Sequence, residues 1–204
     1  MKYWEEANLV LIRPVGVGTP YTIKAIESIL GPGTEPIQGT PHEHPWHARW
    51  DQIQASGFDL SDKLVITQVR NPWTWALSRY HQEQYAIATK QWWVTDFTVR
   101  TFPQWLYHHY QQNTKLQHTD NWYDSSIHLI IRLEHRNRDL EPVWQYIGEQ
   151  PTPDHMPQCW ESFSYDYHYP TWYTDPVIEF HLYELFKKDL RLFYPEWIRD
   201  FLQK

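Results

Sequence analysis

Leu64-Val65-Ile66-Thr67-Gln68-Val69-Arg70-Asn71-Pro72-Trp73-Thr74-Trp75-Ala76-Leu77-Ser78-Arg79-Tyr80 is the stretch on which the fold turns. Apolar and β-branched residues run from Leu64 to Val69 with Gln68 as the interruption, too short for a helix and suited to a strand buried on both faces. Asn71-Pro72 stops that strand. Pro72 is tolerated in the first turn of a helix, and Trp73, Leu77 and Tyr80 then recur at helical spacing, so strand, tight turn and helix follow within about twenty residues. In open α/β sheets a turn of this kind, at the carboxyl end of a parallel strand, is where ligands bind. Arg70 leaves the strand there and Ser78 stands eight positions (78 minus 70) further on. That spacing lets a guanidinium and a hydroxyl converge on one phosphate.

Upstream, Ala7 to Pro14 (ANLVLIRP) is expected to form a strand, and Pro20 to Leu30 a helix with Ile23, Ile26, Ile29 and Leu30 on one side. Between them lies Val15-Gly16-Val17-Gly18-Thr19. Strand, glycine loop and helix in this order present backbone N–H groups at a helix N-terminus, an anion site that requires no side-chain charge. The same glycines would also serve a plain tight turn; their place one strand ahead of Arg70 favours the anion site.

The chain has 204 residues, the length of one domain with a core of ordinary size. Aromatic residues reach 17%, far from a disordered composition, and a compact fold is expected. A formal charge of -7 argues against non-specific nucleic-acid binding, which needs a basic surface. The single cysteine, Cys159, excludes an internal disulfide framework and fits a reducing compartment. No apolar run approaches the ~20 residues of a membrane span, and the N-terminus has acids where a signal peptide carries bases, so a cytoplasmic location is expected.

Between the first helix and the central strand lies His42-Glu43-His44-Pro45-Trp46-His47-Ala48-Arg49. A His or Glu beside a bound anion can take the proton of a hydroxyl, because His titrates near neutrality and a desolvated Glu is tuned upward. The order of preference for this base is His44, Glu43, His47. His42, His44 and His47 also stand close enough together to suggest zinc, but no fourth ligand is identifiable and no metal is expected. Further on, Thr101 to Gln112 is expected to form a helix, Ser125 to Leu133 a strand and Asp175 to Leu192 an amphipathic helix. The aromatic residues of this part serve the core, and any exposed beside the cleft suit sugar faces. From Asp139 to Phe186 there is no Lys or Arg.

VRNPWTWALSRY resembles the 3′-phosphate-binding segment of sulfotransferases, in particular the carbohydrate type whose usual form is VRNPxxRxxSxY. In that family the matching Arg and Ser hold the 3′-phosphate of 3′-phosphoadenosine 5′-phosphosulfate (PAPS), so the resemblance gives these roles to Arg70 and Ser78. The loop Val15–Thr19 resembles the family's phosphosulfate loop, PKxGxTS, with Gly16, Val17, Gly18 and Thr19 as its backbone. Two departures stand out: Val15 occupies the position of the family's Lys, which offsets charge growing during transfer, and Trp75 occupies a common Arg position. Arg13 or Lys24 is left to supply the missing cation. The segment His42–Arg49 resembles KHxTARE; His118 and Trp122 echo an HW motif. IIRLEHRNRDLEPVWQYIG resembles ILRxExLxxDLxxLxxxLG, which gives Glu134 a role in closing a strand and ordering loops. The C-terminal YHYPTWYTDPVIEFHLYELF resembles HYREYYTPELxELV, but the basic residue that the family often supplies just ahead of it is missing here, leaving His155, His168 or nothing in that place.

The expected fold is a single α/β domain over residues 1–204, a three-layer, P-loop-like arrangement with a central, mostly parallel sheet of four or five strands flanked by helices. The implied activity is sulfuryl transfer from PAPS, as co-substrate, to a hydroxyl of an acceptor, most simply a saccharide. The alternative is a degenerate member that binds a nucleotide or a glycan without turnover. A P-loop kinase is disfavoured, because GxxxxGK[ST] is missing.

Overall fold

A computed structural model of the chain describes residues 1–37, 47–91, 96–114, 116, 118–150 and 175–196. The chain divides into two compact units: Met1–Arg70 with Asn121–Cys159, and Asn71–Asp120 with Trp160–Lys204.

The first unit is a mixed α/β body around a four-stranded, mostly parallel sheet. Its strands are β1 (Lys2–Trp4), β2 (Leu9–Ile12), β3 (Leu64–Val69) and β4 (Leu129–Arg132), in the order β1-β2-β3-β4. β2 and β3 run parallel with Leu9 beside Leu64 and Ile12 beside Thr67; β3 and β4 run parallel with Ile66 beside Leu129 and Val69 beside Arg132. Only β1 is antiparallel, against β2. The carboxyl ends of three neighbouring strands therefore open on one edge of the sheet.

Alternate strand residues serve two cores. On one face Leu9, Leu11, Ile66 and Ile131 pack with Ile23, Ala25 and Ile26 of α1 (Thr19–Leu30) and with Val143 and Trp144 of α7 (Glu141–Ile147). On the other, Val10, Ile12 and Val65 pack with Trp50 and Ile53 of α2 (Trp50–Ala55) and with Ile37 and Ala48. Burial on both faces is why Leu64–Val69 reads as a nearly continuous apolar run rather than an alternating one.

Among the described residues the second unit holds helices and no strand. It holds α3 (Pro72–Ala88), α4 (Phe102–Gln111), α8 (Pro176–Phe193) and most of the short α5 (His118–Asn121). Asn71 caps α3 by accepting from the Trp73 amide at 2.9 Å, and Pro72 fits the first turn, where no N–H is needed. Tyr80 of α3 meets Phe102 edge-on at 5.5 Å, and Trp75 meets Phe186 of α8 at 5.5 Å. The fully buried Asp189 of α8 accepts from the amides of His118 (2.7 Å) and Thr119 (2.9 Å), satisfying the first turn of α5.

Several expectations from the sequence need correction. The strand expected over Ser125–Leu133 is only Leu129–Arg132, because Asp124 accepts from the Ser126 amide at 2.9 Å and ties the preceding residues into a turn. Glu134, expected to follow the strand, does so, exposed in a 3-10 turn (Leu133–His135) that runs into α6 (Arg136–Asp139). β2 is likewise shorter than Ala7–Pro14. No helix among the described residues is long and apolar enough to cross a membrane.

Candidate functional site

Within the first unit, the candidate site is built at the carboxyl ends of β2, β3 and β4. β2 ends at Ile12, and Arg13 turns its guanidinium to Glu35, Nη1 to Oε1 at 2.8 Å, with only 8% of the residue exposed. The chain then passes through Val15–Gly18 into α1. Gly16 and Gly18 both take left-handed backbone, φ 75° and 79°, which glycine adopts without steric cost. Gly18 is constrained a second time: a Cβ there would stand 3.0 Å from Cδ1 of Leu133, the residue just past β4.

Gly18 is also the N-cap of α1. It has no side chain to satisfy the helix's first amides, and no acid stands in the first turn, so the positive end of the helix dipole is left uncompensated by the helix itself. Thr19 opens the helix and is buried. Lys24 is exposed one turn further on.

Two side chains from β3 and its end reach this loop. Gln68, fully buried, donates from Nε2 to the Val17 carbonyl and accepts at Oε1 from the Thr22 hydroxyl of α1 at 2.5 Å. Arg70, half-buried, donates from Nη1 to the Gly16 carbonyl at 3.4 Å. Along the sequence Gln68 stands out only as an interruption in an apolar run. A polar residue in the middle of a strand buried on both faces was the signal available, since such a group must find partners.

His47 completes the arrangement. Its Nδ1 lies 2.7 Å from the Arg13 carbonyl oxygen, and because a carbonyl only accepts, Nδ1 carries a proton and Nε2 is the basic nitrogen of the neutral ring. On the far side of β3, Arg132 donates from Nε to Asp139 at 3.0 Å and from its amide at 3.1 Å. Burial alone would raise the Asp139 carboxyl; the bonds from Arg132 and Arg138 outweigh it and hold the group below the usual carboxylate range.

Of the sequence-predicted site residues, Gly16, Val17, Gly18, Thr19 and Arg70 come together in the first unit, with Arg13 and His47 at the start of the same loop. Arg13 is held by Glu35, and Lys24 stands on the exposed side of α1. Ser78 belongs to the second unit, buried on α3. His118 is buried there too, with Nδ1 3.1 Å from Asp189 and its ring edge-on to Trp75 at 5.9 Å. His42, Glu43, His44, His155 and His168 lie outside the described residues. Among the described residues no cluster of three metal-ligating side chains occurs. Against protein-family profiles, curated proteins and solved structures alike, the chain has no match.

Proposed function

We propose that this chain is a PAPS-dependent sulfotransferase acting on a hydroxyl acceptor, most simply a saccharide, through a P-loop-like α/β fold. The observation that carries the proposal is the junction of Arg70 with the glycine loop. Arg70 follows β3, the loop follows β2, the two strands are parallel neighbours, and the guanidinium donates to the Gly16 carbonyl. Two segments 54 residues apart, each resembling a different nucleotide-binding motif of one family, thus share one sheet edge.

In the reaction the acceptor oxygen attacks sulfur as the bond from sulfur to the phosphate oxygen breaks, and charge grows on the departing adenosine 3′,5′-bisphosphate. The loop amides and the N-terminus of α1 meet that charge without side-chain reorganisation. The acceptor proton goes to a base from Glu43, His44 or His47. For His47 the receiving atom is Nε2, and the Arg13 carbonyl at Nδ1 steadies the resulting imidazolium. Arg70 is assigned to the 3′-phosphate.

A second reading, nucleotide binding without turnover, is favoured by one feature: Val15 holds the family's Lys position and the neighbouring Arg13 is engaged with Glu35. Release of adenosine 3′,5′-bisphosphate from PAPS over a panel of glycans separates the two, because binding without release selects the second. The test of the site itself is calorimetry with adenosine 3′,5′-bisphosphate. Arg70→Ala is expected to weaken binding about tenfold or more, the loss of a charged hydrogen bond. Arg79→Ala, whose guanidinium pairs with Glu83 at 3.1 Å, is expected to leave it unchanged. Equal effects would remove Arg70 from the site.

A further inference from the structure

We infer that Gln68 is the positioning residue of the glycine loop, turning its amides toward the anionic group of the bound nucleotide; this deepens the sulfotransferase reading and rests on it. The side chain is fully buried and used at both ends, Nε2 on the Val17 carbonyl and Oε1 on the Thr22 hydroxyl. Two positions further on, just past the end of the strand, Arg70 takes the preceding loop carbonyl, that of Gly16.

The consequence follows from the planar trans peptide, which carries its C=O and N–H on opposite sides. Holding the Gly16 carbonyl toward Arg70 turns the Val17 N–H away from it. Holding the Val17 carbonyl toward Gln68 does the same to the Gly18 N–H. Two successive amides then face one way, the concave arrangement that receives an oxyanion. Among the described residues neither amide donates to an acceptor. Space filling does not explain the choice of residue, because an aliphatic side chain at this position would extend the core without the cost of burying an amide.

The bond to Thr22 ties Gln68 to α1, whereas the bond to Val17 sets the loop, so the two can be separated. Gln68→Met keeps the length of the side chain and removes both bonds. Thr22→Val removes only the link to α1. With adenosine 3′,5′-bisphosphate as the probe, the Met variant is expected to bind about tenfold more weakly than the Val variant, in line with loss of aligned donors. That gap is expected to persist when the thermal midpoints of the two variants are the same, which a merely structural role would not produce. In the wild-type protein, nucleotide addition is expected to shift the Gln68 side-chain amide resonance together with the Val17 and Gly18 amides, a readout that needs no variant to fold.

Equal affinity of the two variants, or an unmoved Gln68 resonance while the nucleotide binds, overturns the positioning role and leaves the nucleotide site standing. Failure of the wild-type protein to bind the nucleotide overturns both.

Discussion

Gly18 carries two demands at once. Its φ of 79° strains any residue with a Cβ, and Leu133 Cδ1 stands 3.0 Å from where that Cβ would be. Gly18→Ala is therefore expected to lower stability by about 1–3 kcal/mol, read from the midpoint of urea unfolding. Leu133→Ala in the same background is expected to return only part of that loss, because it removes the crowding and leaves the backbone strain; full recovery would show that crowding alone is at work. Gly16, Gly18 and Arg70 were legible because each departs from its surroundings along the chain. Gln68 departs from its apolar neighbours too, but its role does not show, because its partners lie 51 and 46 positions away and nothing local marks them.

Helix α3 and helix α4 are joined by a polar cluster around Glu83, which accepts from Trp105 Nε1 at 2.6 Å and from Arg79 Nε at 3.1 Å, with His109 Nε2 at 3.8 Å. Burial works to raise the Glu83 carboxyl, but His109, Arg79 and Trp105 together hold it below its ordinary value. A depressed folded-state carboxyl contributes stability above the unfolded-state titration and loses it as pH falls through the folded one. At pH 7 Glu83→Gln is expected to cost about 1 kcal/mol of unfolding free energy, and the gap to wild type is expected to narrow as urea titrations are taken below about pH 4.3. A gap that widens in acid would contradict the sign.

At the same scale, β3 was legible as a short continuous apolar run, and α1, α3, α4 and α8 in outline through periodicity over a long enough run or through a proline or aspartate at the start. β1, with three residues, and α2, with six, are too short for any period to register. β4 was over-extended because the turn held by Asp124 looks, in sequence, like more strand.

At the scale of the whole molecule, both units are discontinuous. The chain leaves the first unit after Arg70, re-enters it at Asn121 and leaves it again after Cys159. The sheet of the first unit therefore waits for β4, which comes after α3 and α4. A fragment of residues 1–120 lacks β4, Leu133 and α7, and is expected to show no cooperative urea transition by circular dichroism, whereas the complete chain does. A cooperative transition in that fragment would mean that β1–β3 and the helices preceding Asn121 suffice.

The order of strands has an outcome during synthesis. As the polypeptide leaves the ribosome, β3 emerges about sixty residues before the segment that will cover its outer side, since Ile66 pairs with Leu129 (129 minus 66). For that interval a strand that ends up buried on both faces offers a bare row of backbone donors and acceptors to any other nascent chain. Slow translation between Asn71 and Leu129 should therefore favour aggregates, and holdase chaperones should engage the chain in that window.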